Sequence, residues 1–407
     1  MMIGVFSESH LWLKSAKELG YKIIATHPLD IKTKSYYDIS IKYIDEFFVV
    51  DYFDYEKLLE IATKNQIEFV ICHPTSNDAT LASSYINDKL KLKGVSHEAA
   101  NTACNKYNFY KFLEENNLPT PNFTYKVDDE LDYSKLTYPC IVKPVYGAGS
   151  LGVKIIENKE NLKIFLKEKK YEQGYALTKP NYDFYIVQQF VPGVKIMGCH
   201  SVVSDGKLNI FARTYRDLSQ EHKIYPYCYG QEFVTTYDVI TEKTYIAIKK
   251  LIEILKINNT PFDLEILLDE NNDIITFIEL NLRPAEKAFN YINGRNGYEY
   301  CIKEQVKLGT NLTKDFSPIG DEKKFMGLKY FKFKQGTVKN IIWPDVPNTC
   351  IYFNSKLKPG SIIPNVWNSN TALHSGHIIL LDNNLDRLTQ SLVDFTGNIK
   401  ITYEGEL

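Results

Sequence analysis

The sequence predicts two kinds of architecture in one chain: an α/β unit on a parallel sheet, then an α+β region built on antiparallel hairpins. Three observations lead there. Short apolar runs alternate with helix-like segments over residues 1–105. Two hairpin patterns follow beyond residue 195. From Lys324 onward the chain reads as short strands separated by turns.

In the first unit the predicted strands are Ile3–Phe6, Lys22–Ala25, Glu46–Val50 and Phe69–Cys72. Helical segments such as Leu11–Leu19 and Tyr55–Lys64 lie between them. Strands that alternate with helices need crossover connections, hence a parallel, doubly wound, Rossmann-like sheet. No G-x-G-x-x-G follows the first strand, so a dinucleotide site is not expected. Lys106–Asn117 reads as a helix ended by Leu118-Pro119-Thr120-Pro121. Strands at Pro139–Pro144 and Tyr185–Phe190 then flank a glycine-rich loop and a helix near Asn161–Lys169. Ile196–Val203 and Leu208–Ala212 form a hairpin around Ser204-Asp205-Gly206-Lys207. Thr241–Leu255 is an amphipathic helix, and Asp263–Leu268 pairs with Ile274–Glu279 in a second hairpin.

Bulk properties narrow the function. A chain of 407 residues implies two to four units at about 100–200 residues each. Lys and Arg number 48 against 50 Asp and Glu, a net charge of -2. No global field draws this chain to nucleic acid or to a membrane surface, and neither is an expected partner. The N-terminus lacks the basic start and apolar run of a signal peptide, and no apolar stretch is long enough to span a bilayer. The seven cysteines (72, 104, 140, 199, 228, 301 and 350) are scattered without a C-x-x-C pair. That pattern fits reduced thiols and a cytoplasmic location.

The strongest local signal runs from Pro139 to Val153. An apolar strand delivers Lys143 and Pro144 into a loop carrying Gly147, Gly149 and Gly152, with Ser150 between them. Without Cβ atoms the backbone can approach an anion closely and turn its N–H groups inward. Lys143 adds a point charge at the strand end. No Gly-Lys-Ser/Thr triplet follows, so this is not a Walker A loop.

The second signal is Pro261-Phe262-Asp263-Leu264-Glu265, then Phe277-Ile278-Glu279-Leu280-Asn281-Leu282-Arg283-Pro284. Alternate residues of a strand share a face. Glu279, Asn281 and Arg283 therefore project together, with Glu265 on the partner strand. Two carboxylates and an amide oxygen on one face need a cation, and magnesium prefers such hard oxygen ligands.

These two signals, in this order and at this separation, resemble the ATP-grasp superfamily, and the resemblance covers most of the chain. It implies an ATP-grasp fold with a pre-ATP-grasp domain at 1–105, an ATP-grasp domain at 106–312 with a lid at about 121–190, and a β-rich C-terminal subdomain at 313–407 that completes the catalytic domain. It implies that Lys143 and Lys106, the latter at the start of the helix leading into the lid, contact ATP phosphates, with Gly147, Gly149, Ser150 and Gly152 forming the phosphate loop. It implies Glu265, Glu279 and Asn281 as ligands of Mg2+, with Mn2+ able to substitute, and Arg283 as the catalytic arginine. The hinge that would read adenine is Gln188, Gln189 and Val191. Here Gln188 and Gln189 stand where such families often carry acidic residues, and Lys195 stands in place of a ribose-binding glutamate.

Beyond Lys324, Gln335-Gly336-Thr337-Val338, Leu357–Pro364 and Ser375-Gly376-His377-Ile378-Ile379 resemble the C-terminal domain of L-amino-acid ligases; biotin carboxylases and purine-pathway ligases carry a related unit. The function implied is an ADP-forming carboxylate–amine ligase that makes an amide or peptide bond through an acyl phosphate, on an amino acid or small carboxylate. Two alternatives stay open: a carboxylating or nucleotide-pathway enzyme, and a nucleotide-binding module without catalysis. Arg213, Arg216 and Arg295 are candidate substrate contacts, because an arginine can hold a carboxylate bidentately. The expected partners are ATP and small molecules, and a homodimer is compatible with the reading. His374 and His377 have H-x-x-H spacing without acidic or cysteine companions and read as structural.

Overall fold

In the computed structural model the described residues are 1–5, 9–31, 38–72, 76–127, 130–147, 152–168, 185–191, 195–216, 231–235, 241–269, 274–283, 325–364 and 375–405. The alternation of apolar strands and amphipathic helices closes the first unit into a parallel sheet. Its elements are β1 (Met2–Ile3), α1 (His10–Glu18), β2 (Ile24–His27), α2 (Asp38–Ile41), β3 (Glu46–Val49), α3 (Tyr55–Lys64), β4 (Ile71–Cys72), α4 (Asn77–Leu90) and α5 (His97–Cys104). The strand order is β3-β2-β1-β4, every pair parallel. The chain steps outward through β2 and β3, then returns to the far side of β1. Local chemistry sets the helix starts. The Asp54 side chain accepts from Lys57 N–H ahead of α3, and the Ser76 hydroxyl accepts from Ala79 N–H ahead of α4. Leu58, Ile61 and Ala62 of α3 pack against Ile3, Ile24 and Val70.

Helix α6 (Lys106–Glu115) follows directly, capped by Asn105, whose side chain accepts from Asn108 N–H at 3.0 Å. A small second sheet comes next. It contains β5 (Thr124–Val127), β6 (Cys140–Pro144), β7 (Lys154–Ile156) and β8 (Tyr185–Gln189), with α7 (Lys159–Glu168) across it, in the order β5-β8-β6-β7. Cys140, Val142, Val187 and Leu162 form its core.

The remaining elements are β9 (Lys195–Ser204), β10 (Lys207–Arg216), β11 (Gln231–Thr235), α8 (Glu242–Ile254), β12 (Thr260–Asp269), β13 (Ile274–Asn281), β14 (Phe325–Tyr330), β15 (Gly336–Ile342), β16 (Cys350–Asn354), β17 (Ile362–Ile363), β18 (His377–Asp382), α9 (Leu385–Gly397) and β19 (Lys400–Tyr403). Eight of these strands make one antiparallel sheet in the order β13-β12-β9-β10-β11-β14-β18-β16, and β17-β15-β19 make a small fourth sheet. Burial alternates along β12. Phe262, Leu264 and Ile266 are buried in one cluster with Phe109 and Leu113 of α6 and Ile248 and Leu251 of α8. Asp263 and Glu265 therefore face the other side.

One feature differs from the sequence reading. The region beyond Lys324 is not strands and turns alone, because it contains α9. Asn384 caps this helix by accepting from Arg387 N–H, and Leu388, Leu392 and Phe395 form its buried stripe. The strands on either side of residue 313 share one sheet, since β14 pairs with β11. Among the described residues no helix is long and apolar enough to cross a membrane.

Candidate active site

Sheet register assembles the acidic face. Glu265 of β12 stands directly opposite Glu279 of β13, and Asp263 stands opposite Asn281. On the other side of β12, Glu265 pairs with Gly198 of β9, which in turn pairs with Thr214 of β10. Directly opposed residues in an antiparallel pair project to the same side. Thr214, Gly198, Glu265 and Glu279 therefore form one row, and His200, Asp263 and Asn281 form the next. His200 Nδ1 lies 3.3 Å from Asp263 Oδ1. Gly198 keeps the first row open, because a Cβ there would come 2.4 Å from Thr214 Oγ1.

Two lysines arrive from different elements. The first turn of α6 presents Lys106, and Lys106 N–H donates to Val145 O at 3.0 Å, which ties this helix start to the strand leading into the glycine loop. Its Nζ donates to Glu279 Oε1 at 3.0 Å and to Gly147 O at 3.0 Å. Lys143, at the end of β6, is buried, and its Nζ donates to the Tyr110 hydroxyl at 2.7 Å. Tyr110 sits one turn along α6 from Lys106, and its hydroxyl donates to the Ile278 carbonyl. The Gln188 side chain also bonds this hydroxyl. Tyr110 thus links the lid to the strand that carries Glu279.

The electrostatics follow from burial and charge pairing. Burial and then the neighbouring Lys106 push Lys143 from 10.5 down to about 7, against the pull of Glu279 and Glu265. Burial would raise Glu279, but Lys106, Arg283 and Lys143 together hold it below the ordinary carboxylate value. Burial raises the Tyr110 hydroxyl, so it stays protonated. Arg283 is buried beyond the end of β13, and its backbone N–H donates to Asn281 O at 2.8 Å. Its Nε has no hydrogen-bond partner.

The donor set fits a hard divalent cation. Two carboxylates share one row of the sheet, an amide oxygen lies in the adjacent row, and Lys106, Arg283 and Lys143 offset Glu279 here. Among the described residues no three His, Cys, Asp or Glu side chains gather as a metal cage. Magnesium does not require one, since it commonly takes one or two carboxylates and completes its shell with water and substrate phosphate.

The structure brings together Lys106, Lys143, Gly147, Glu265, Glu279, Asn281 and Arg283. Gly152 adopts φ 72°, where a Cβ would also sit 2.9 Å from Pro144 Cγ. Gly149, Ser150 and Arg295 lie outside the described residues, as does the Pro192-Gly193 part of the hinge. Gln188 is buried and turned toward Tyr110. The Gln189 side-chain Oε1 accepts from Asn122 N–H at 2.8 Å, and Gln189 backbone N–H donates to Phe123 O. Arg213 shares its row with Cys199 and Leu264, the face opposite the carboxylates, and donates to the Tyr215 hydroxyl at 3.3 Å. Arg216 ends β10, in register with Ile196. Tyr110 and Gly198 were not apparent in the sequence. Tyr110 carried one weak signal, its i+4 spacing from Lys106 on one helix face.

Comparison with known proteins bears on the family and the fold. A model of the ATP-grasp domain matches residues 103–286. The carbamoyl phosphate synthase large chain of Thermotoga petrophila is 23% identical over 337 residues, covering 81% of this chain and 29% of that protein. The chain therefore spans less than a third of that relative's length. Among solved structures, an L-amino acid ligase from Bacillus licheniformis superposes with a TM-score of 0.70 at 16% identity, covering 99% of this chain and 98% of the other. A phosphoribosylglycinamide synthetase from Anaerococcus prevotii gives 0.66 at 21% identity, with the same coverage of 99% and 98%. Likeness at these identities is likeness of fold. Residues 103–286 match the ATP-grasp domain, and the chain has the ATP-grasp fold over nearly its whole length.

Proposed function

We propose that the chain is an ATP-dependent carboxylate–amine ligase, releasing ADP and phosphate, with an amino acid or small carboxylate as substrate. The observation that carries this reading is the facing pair Glu265 and Glu279 with Lys106 bonded to one of them and Lys143 beside both. Without ligand, Lys106, Lys143 and Arg283 lie against the carboxylates and offset their charge. With a divalent cation held by Glu265, Glu279 and Asn281, the two lysines would be free to meet phosphate oxygens. Lys106 then exchanges Glu279 for a phosphate oxygen, and Lys143 moves from the Tyr110 hydroxyl to another.

Mg2+, held by Glu265, Glu279 and Asn281, would supply charge neutralisation at the β- and γ-phosphates; Mn2+, which suits the same ligands, is expected to substitute. The reaction itself is largely positioning. A carboxylate oxygen attacks the γ-phosphorus, the bond to the β,γ-bridging oxygen breaks, and ADP leaves. The amine nitrogen attacks the acyl carbon, the carbon–oxygen bond to phosphate breaks, and the nitrogen loses a proton. The Arg283 guanidinium stabilises the negative charge on the acyl phosphate and its tetrahedral successor. The glycine loop covers the phosphates and excludes water. The free thiols Cys72, Cys104, Cys140, Cys199 and Cys350 fit a reducing compartment such as the cytoplasm.

Glu279→Ala tests the metal assignment. Magnesium-dependent ADP formation is expected to fall by about 10²–10³-fold, with the melting temperature retained. ADP formation at the original rate and magnesium dependence would sink it. A second reading has its own support in the 23% identity to a carbamoyl phosphate synthase across 81% of this chain. There bicarbonate would be the carboxylate, and product formation from bicarbonate alone would favour it.

A further inference from the structure

Strand β9 orders the active-site face from one end to the other. In the chain it follows the hinge, starts at Lys195, passes Gly198 opposite Glu265, and reaches His200 opposite Asp263, which in turn faces Asn281. Residues two apart on a strand stand about 7 Å apart. His200 therefore lies one row beyond the carboxylate pair, on the side of Asn281 and away from the start of β9. A nucleotide running from the hinge to a cation on Glu265 and Glu279 would present its γ-phosphate to that side. An acyl phosphate formed there would have its carbonyl carbon there too.

The His200 ring leans back over the carboxylate row. A Cβ added at Gly198 would stand 3.6 Å from His200 Nε2, 3.5 Å from Asp263 Oδ1 and closer still to Thr214 Oγ1. The missing side chain opens a cradle in the floor of the sheet, ringed by an imidazole nitrogen, a carboxylate oxygen and a hydroxyl. His200 Nδ1 lies 3.3 Å from Asp263 Oδ1. A carboxylate beside Nδ1 favours the tautomer with its proton there, which leaves the lone pair on Nε2, the nitrogen over Gly198. Three acceptors, one of them anionic, match the three N–H donors of a primary ammonium group. Asp263 repels an anion from the same place. The neighbouring groups have other tasks in the ligase reading: Glu265 and Glu279 hold the cation, Lys106 and Lys143 meet the phosphates, and burial keeps the Tyr110 hydroxyl protonated.

We propose that this cradle takes the ammonium group of the acceptor amine and that His200 Nε2 is the base that deprotonates it, with Asp263 as its positioning residue. The inference rests on the ligase reading for the reaction it serves. An ammonium nitrogen has no lone pair and cannot attack. Nε2 takes one proton from it, and the freed lone pair attacks the acyl carbon. The carbon–oxygen bond to phosphate breaks with its electrons going to phosphate, and the second proton of the nitrogen passes to that phosphate. Asp263 holds the imidazole in its tautomer and offsets the charge of the imidazolium that forms. Gly198 keeps the approach to Nε2 clear, because any side chain there would fill the cradle.

The test uses the whole protein with Mg2+ and ATP at neutral pH. The protein amino acids, acetate and succinate are offered as carboxylates, and the same amino acids, or hydroxylamine, as acceptors. Hydroxylamine is already neutral at that pH and attacks without a base. In His200→Gln amide formation from the amino acids is expected to fall by about 10²–10⁴-fold, while hydroxamate formation from hydroxylamine stays near the wild-type rate. The Mg2+ concentration for half-maximal rate should also stay the same. Asp263→Asn should show the same split, and keeps the test valid if His200→Gln does not fold. Nitrogen NMR of the wild type with Mg2+ and a non-hydrolysable ATP analogue reads the tautomer with no carboxylate present; a proton on Nδ1 and none on Nε2 is expected. Amide formation unchanged in the variants, an equal fall with both acceptors, or a protonated Nε2 overturns the inference and leaves the ligase reading standing. If no carboxylate yields ADP together with an amide or hydroxamate in the wild type, the ligase reading fails and the base falls with it.

Discussion

The Tyr110 hydroxyl accepts from Lys143 and donates to the Ile278 carbonyl. It holds the lid lysine in place while no phosphate is there to do so. Tyr110→Phe should therefore cost about 1–3 kcal/mol of stability by leaving a buried ammonium and a carbonyl without their partner, and should weaken ATP; thermal unfolding and an ATP titration check both, and wild-type values for each would contradict the role. Lys143 carries a pH signature as well. Its value of about 7 in the folded protein lies below its ordinary 10.5. The unfolded chain binds the extra proton between those values, so the penalty on folding is fully present below about 7 and is relieved as pH rises toward 10.5. Phosphates favour the charged form, so ATP binding in that window should take up a proton. Calorimetry at about pH 8 in two buffers of different ionisation enthalpy reads this uptake; its absence, or its persistence in Lys143→Met, would contradict the assignment. Lys106, Lys143, Glu265, Glu279, Asn281 and Arg283 were legible because they fall in short local patterns. Tyr110 was not, since its partners lie 33 and 168 residues away in sequence.

At the scale of elements, strand register makes the site. The row Thr214, Gly198, Glu265 and Glu279 crosses four strands, and a bulge shifts the register of β12 against β13 between Glu265 and Ile266. Gly198→Ala would force Thr214 Oγ1 to shift from 2.4 Å, at a cost of about 1–3 kcal/mol typical of overpacking. The magnesium concentration needed for half-maximal ADP formation should rise in this variant; an unchanged magnesium titration would show that the row does not extend to the metal. The sequence showed which strands exist more readily than how they align, because register depends on partners far apart in the chain. It also held more than was read from it at α9, where Asn384 and the i, i+4, i+7 spacing of Leu388, Leu392 and Phe395 mark a capped amphipathic helix. The strong strand signals around it hid that period. Arg213 shows the converse. Nearness along the chain suggested a substrate contact, and one residue of alternation places it on the other face.

For the whole molecule, the three kinds of sheet divide the work. The lid sheet brings Lys143, the eight-stranded sheet brings the carboxylates and Asn281, and residues of the first unit line a pocket together with Arg283. The parallel first unit and the antiparallel region beyond it were readable from periodicity alone. That pocket was not, because its lining comes from two units far apart in the chain. The central claim is that a substrate carboxylate is activated by phosphorylation before an amine displaces the phosphate. Its most direct test uses a carboxylate substrate labelled with oxygen-18 in both carboxylate oxygens, with mass spectrometry of the phosphate released. The account expects one labelled oxygen in each phosphate formed alongside amide product and ADP. Amide product accompanied by phosphate free of label would contradict it.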